Sequence, residues 1–114
     1  MEIDLSYLED ITGGDKEMML EMLNLFLEDI PSQVELIKTA VEEKNLKAVG
    51  TESHKLKPAL QYVGFNEMYE LVKELEIIGK SGDKHEEAKK IMPALEEQLK
   101  ISLPLLEKTA KKFS

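Results

Sequence analysis

Along most of the chain, apolar residues return every three or four positions, the repeat of a helix that buries one face. No stretch keeps a period of two for long, so the pattern predicts an all-α protein. Ser6 to Ile11 reads as a short opening helix, with Ser6 and Glu9 spaced as a capping box. Gly13-Gly14 ends it, and Asp15 stands where the N-cap of a second helix belongs. Met19, Met22, Leu23, Phe26 and Ile30 share a face of that helix. Pro31 cannot donate a backbone hydrogen bond, and Ser32 with Glu35 offers a fresh capping box just after it. The apolar stripe nevertheless continues in register through Val34, Ile37 and Val41. The spacing therefore predicts one long bent helix, or two nearly coaxial ones, ending near Lys44.

Asn45 reads as a break and a cap. After it, Leu46, Val49, Ser53, Leu56, Leu60 and Val63 step by three and four, and Gly64 closes the helix. The next helix spans about Asn66 to Ile78 and points Met68, Leu71, Val72, Leu75 and Ile78 inward. Gly79 to Asp83 reads as a loop. A final helical segment carries Ala88, Ile91, Met92, Leu95, Leu99, Leu103, Leu106, Ala110 and Phe113, with kinks expected at Pro93 and Pro104. Lys108, Lys111 and Lys112 suit its C-terminal end, where the helix dipole favours positive charge. Four amphipathic helices on short connections make an antiparallel up-and-down four-helix bundle, with the short N-terminal helix as a lid.

Composition narrows the classes. At 114 residues the chain is the size of one domain, residues 1–114, and needs no covalent staple. Cysteine is absent, which removes disulfides, thiolate zinc sites and a cysteine nucleophile, and suits a reducing compartment. The net charge of −8, from 23 acidic against 15 basic residues, disfavours nucleic acid and anionic membranes. No leader-like or membrane-spanning run appears. A cytoplasmic protein is expected. The six methionines, several on inward faces, read as gap-fillers of a core rather than as a binding groove.

The candidate chemistry is in Glu52-Ser53-His54-Lys55-Leu56-Lys57-Pro58. At about 100° per residue, His54 lies about 130° from the centre of its helix's apolar stripe and so faces water. Gly50, Lys57 and Gln61 lie between the stripe and that exposed side; Lys47 and Pro58 lie further round. A neutral imidazole is nucleophilic without a strong base. A glycine at position 50 leaves room for a partner to approach. Lys57, one turn on and expected to be exposed, can lie beside an anion on the ring. At about 4 Å that attraction is worth about 1 kcal/mol in water and about 4 kcal/mol at a half-dry interface. These features make a phosphoryl acceptor possible but do not select it.

Ser53-His54-Lys55-Leu56-Lys57 resembles the His-x-Leu-Lys core of histidine-containing phosphotransfer (HPt) domains. Gly64 matches the glycine that closes the helix in that family. The Asp-Leu-Ser-Tyr-Leu opening, Gly13-Gly14-Asp15 before a helix with Phe26, and Leu75-Glu76 on the following helix resemble it too. The resemblance covers nearly the whole chain, at the length of a free-standing member. It implies that His54 is phosphorylated on Nε2, receiving from and giving to an aspartate of a response-regulator receiver domain. Lys57 would steady the phosphoryl group, and Gly50, Lys55, Pro58 and Gln61 would lie at the docking surface. The implied partners are receiver domains and a hybrid sensor histidine kinase, with the chain itself a monomer. It would be a phosphocarrier without kinase activity and without a cofactor of its own, the magnesium belonging to the receiver.

Pro58 departs from the family, which commonly has glycine after the lysine. It lacks the N–H that would bond the carbonyl of His54, so a bend is expected there. Its ring either adds apolar contact at the docking surface or blocks the receiver and leaves binding without transfer; with His54, Lys57 and the rest of the pattern intact, retained transfer is the expectation. His85, in Asp83-Lys84-His85-Glu86, reads as a solvated loop residue. Two distant histidines without carboxylates a turn from His54 argue against a metal site. There is no P-loop for a nucleotide. The competing reading is a helical adaptor that docks a signalling partner while His54 does nothing.

Overall fold

The computed structural model describes residues 3–114, which hold five helices and no strand. They are α1 Ser6–Thr12, α2 Lys16–Glu42, α3 Leu46–Tyr62, α4 Asn66–Ser81 and α5 His85–Lys111. Each long helix packs on its neighbour in sequence, and α5 closes the ring on α2. The result is the antiparallel bundle that the periodicity predicts. Short α1 lies across α2 and α3 as a lid, its Tyr7 stacked on Tyr62, which in turn stacks on Phe26.

The predicted stripes supply the core. Leu23, Phe26, Ile30, Val34 and Ile37 of α2 meet Val49, Leu56 and Leu60 of α3, Met68, Val72 and Leu75 of α4, and Leu95 and Leu106 of α5. Met19, Met68 and Met92 are buried among them. This packing explains why α2 continues past Pro31 as a single helix. A proline in a helix interior costs about 3 kcal/mol. Each buried Leu, Ile, Val or Phe contributes about 1.5–3 kcal/mol, and the stripe has such residues on both sides of the proline. The burial wins. Ser32 and Glu35 therefore stay inside the helix and form no capping box. By the same reasoning α5 continues through Pro93 and Pro104, and α3 through Pro58.

Two of the local start signals act as expected. Asp15 accepts from the Met18 amide at 3.1 Å, and Asn45 from the Ala48 amide at 3.1 Å. The Ser6–Glu9 capping box does not form. Asp4 takes its place, its carboxylate accepting from the Ser6 amide at 2.9 Å and the Ser6 hydroxyl at 2.6 Å. Asp4 is itself held by its amide on the Val63 carbonyl at 3.1 Å. Gly64 permits this twice over: its φ is +73°, and a Cβ there would lie 2.7 Å from that of Asp4.

Two expectations at the far end of the bundle need correction. Gly79 is not in a loop: α4 continues to Ser81 and stops at Gly82, whose φ is +75°. His85 is not solvated. Its side chain is mostly buried at the start of α5, and its Nε2 lies 2.8 Å from the Val41 carbonyl, which fixes the proton on Nε2. The ring thus ties the first turn of α5 to the last turn of α2, a contact between residues too distant in sequence for periodicity to reveal. No helix among the described residues is long and apolar enough to cross a membrane.

Candidate functional site

His54 is in the middle of α3, and its side chain is 70% exposed. Its Nδ1 lies 2.6 Å from Oε2 of Glu76 on α4. Glu76 is the departure from the predicted pattern. It falls one residue after Leu75 on the inward stripe of α4, and its side chain is only 6% exposed. A carboxylate buried there requires compensation. Lys57 supplies most of it, with Nζ 2.5 Å from Oε1; the exposed Lys80 adds a longer contact, 3.6 Å from Oε2.

These partners set the protonation of the cluster. The hydrogen bond from Lys57 is the largest influence on Glu76 and, with the His54 bond and both lysine charges, overcomes the opposing effect of burial. Its pKa falls from an ordinary 4.5 to about 2. Lys57 is raised above its usual value, chiefly by the same bond. Glu76 is therefore an anion at any physiological pH, and an ionised carboxylate only accepts hydrogen bonds. His54 must donate from Nδ1. In the neutral ring that tautomer leaves the lone pair on Nε2, for which the described residues provide no partner.

The other sequence candidates divide. Lys55, Pro58 and Gln61 are exposed on the same helix. Lys55 turns toward Glu52, 3.5 Å away, and Glu52 is also bonded by Gln33 of α2. Lys57 is less exposed than expected, its side chain 21% accessible, because it reaches inward to Glu76 and lies near the ring of Tyr69. Gly50 is buried. Its missing side chain makes room for the backbone of Gly79 rather than for a partner: a Cβ on Gly50 would stand 3.3 Å from Gly79 Cα. An open groove of about 820 Å³ runs between α3 and α4 to His54, rimmed by Lys44, Lys47 and Lys80. Among the described residues no group of side chains is arranged to hold a metal ion.

Sequence reasoning placed His54 on the surface but gave Glu76 no task beyond a family likeness. The available signal was a lone carboxylate in an otherwise apolar stripe, four residues after Val72. Such a residue needs a cationic or protonated partner across the interface.

Residues 21–108 match the Hpt domain family. The chain belongs to that family. This Hpt domain superimposes on histidine-containing phosphotransfer protein B (HptB) from Pseudomonas aeruginosa PAO1 with a TM-score of 0.87. Identity is 17%, over 99% of this chain and 97% of the other. The HPT domain of the Hpt sensor hybrid histidine kinase from Shewanella gives a TM-score of 0.80 at 22% identity, over 96% of this chain and 94% of the other. At these identities the two structures bear on the fold alone. No curated protein matches the sequence. Membership gives this Hpt domain a histidine phosphotransfer role in two-component phosphorelay, with receiver domains and histidine kinases as its classes of partner.

Proposed function

We propose that His54 is the residue that carries the phosphoryl group, accepting it from the phosphoaspartate of one receiver domain and passing it to an aspartate of another. The observation that supports this is the 2.6 Å contact between His54 Nδ1 and Glu76 on a ring that is 70% exposed. It holds the proton on the inner nitrogen and leaves the outer nitrogen as the nucleophile.

In the forward step the Nε2 lone pair attacks phosphorus. An N–P bond forms while the acyl P–O bond breaks, and the partner's aspartate leaves as a carboxylate. The ring gains positive charge as the bond forms, and the proton stays on Nδ1. Glu76, ionised beforehand, faces that charge with no proton to lose, which is stabilisation arranged in advance of the reaction. The reverse step returns the lone pair to Nε2 and the phosphoryl group to a carboxylate. Lys57 has two tasks in this scheme: it neutralises Glu76 at rest, and it steadies the phosphoryl group one turn from His54. Lys55, Pro58 and Gln61 form the rim on which a receiver docks. The chain acts as a monomeric phosphocarrier with no cofactor and no kinase activity; the magnesium of the reaction is held by the receiver.

The test is to incubate the protein with a phosphorylated receiver domain and look for acid-labile, base-stable phosphate. The expected result is label on the wild type and none on His54→Gln. Equal labelling of the two proteins refutes the assignment of His54. No label on a folded wild type favours the adaptor reading instead.

A further inference from the structure

Two glycines face each other where α3 packs on α4, with backbone meeting backbone. Gly50 of α3 faces Gly79 of α4, and a Cβ built on Gly79 would lie 2.3 Å from the Gly50 nitrogen, 2.4 Å from its Cα and 2.8 Å from the Leu46 carbonyl oxygen. All three are backbone atoms, which cannot rotate aside. Carbon atoms pack at about 3.5–4.0 Å, so any side chain at position 79 must drive the helices apart by about 1 Å or more. Gly50 is less demanding: its added Cβ would meet Gly79 Cα and carbonyl carbon at 3.3 Å, a few tenths of an ångström too close.

The crossing is next to the reactive cluster on both helices. His54 lies one turn after Gly50 and Glu76 one turn before Gly79. The contact between them is 2.6 Å, and a displacement of about 1 Å takes it out of hydrogen-bond range. We propose that Gly79 is a positioning residue, which through its contact with Gly50 sets the helix spacing that lets Glu76 hold the proton on Nδ1 of His54. Gly79 touches no reacting atom. It acts by removing the bulk that would otherwise separate the two helices.

The tautomer can be read without any phosphotransfer, by ring nitrogen NMR of the full chain labelled at histidine. Wild type is expected to show protonated Nδ1 and bare Nε2 at His54. In Gly79→Ala the two tautomers are expected to mix, and Gly50→Ala should shift the same signals part-way. A control variant, Leu95→Ala, opens a cavity away from the crossing and should lower thermal stability while leaving the His54 signals in place. An unshifted His54 in folded Gly79→Ala overturns the proposal, as does an equal shift in Leu95→Ala. If Gly79→Ala does not fold, Gly50→Ala decides in its place: a part-way shift supports the proposal and an unshifted spectrum overturns it. The consequence for rate rests on His54 being the acceptor, and phosphate acceptance by folded Gly79→Ala is expected to fall by up to about 100-fold. A shifted tautomer with no labelling of the wild type would refute the acceptor reading and leave the positioning role standing.

Discussion

Two ion pairs join neighbouring helices of this bundle and have opposite weight. Between α2 and α5, Lys38 and Glu96 stand 3.7 Å apart with side chains 40% and 39% exposed. Between α3 and α4, Lys57 and Glu76 stand 2.5 Å apart, and the carboxylate is nearly buried. Water screens the first pair and competes for both partners, so its net worth is at most about 1 kcal/mol. At the second, the surroundings cannot solvate Glu76, and each of its bonds carries part of the compensation. The same chemistry is decoration at one interface and a constraint at the other. Burial of a single partner makes the difference.

The sharpest way to break this contrast is to delete each cation. Lys57→Ala leaves Glu76 buried with its main partner gone, and is expected to lower unfolding free energy by about 2–3 kcal/mol. Chemical denaturation measures it. A loss as small as a surface substitution would mean that Glu76 is well solvated and that the contrast is false. From sequence alone Lys57 reads as an exposed residue whose removal leaves stability untouched; the inward reach to Glu76 reverses that expectation.

Acid provides the next test. Glu76 has a folded pKa of about 2, below its ordinary 4.5. Its share of stability is therefore complete above about pH 4.5 and drains away as pH falls toward 2. That share is on the order of 3 kcal/mol for a shift of this size. Stability measured at stepped pH should fall more steeply between these limits in wild type than in Glu76→Gln. Parallel curves would show that the carboxylate is not held ionised by the fold. The smallest effect is expected at the other pair: Lys38→Ala should change unfolding free energy by no more than about 0.5 kcal/mol, less still in high salt. A change above about 1 kcal/mol would mean that the α2–α5 pair is worth more than its exposure allows.

How much was legible follows the range of each interaction. Asp15 and Asn45 act within one turn of their own helices, so spacing reveals them. Gly64 ends α3 for an equally local reason, although its second duty, admitting Asp4, is not visible from spacing. The prolines show the opposite. Pro31, Pro58, Pro93 and Pro104 are local stop signals, yet each lies inside a continuous helix because burial on both sides outweighs its cost. Ser6 and Glu9 likewise match a capping box, but Asp4, anchored on Val63, reaches the first turn instead.

The sequence by itself determined that this protein is helical, which faces of its helices are buried, and that His54 points to water. Those properties follow from periodicity and need only the geometry of one helix. The tertiary structure alone decided what His54 meets. Its tautomer depends on a carboxylate 22 residues away, and the reach of that carboxylate depends on two glycines on different helices. A glycine looks the same in a sequence whether it ends a helix, frees a surface or lets two backbones touch. Only the crossing of α3 over α4 shows that Gly50 and Gly79 do the last, and so put Glu76 under the ring.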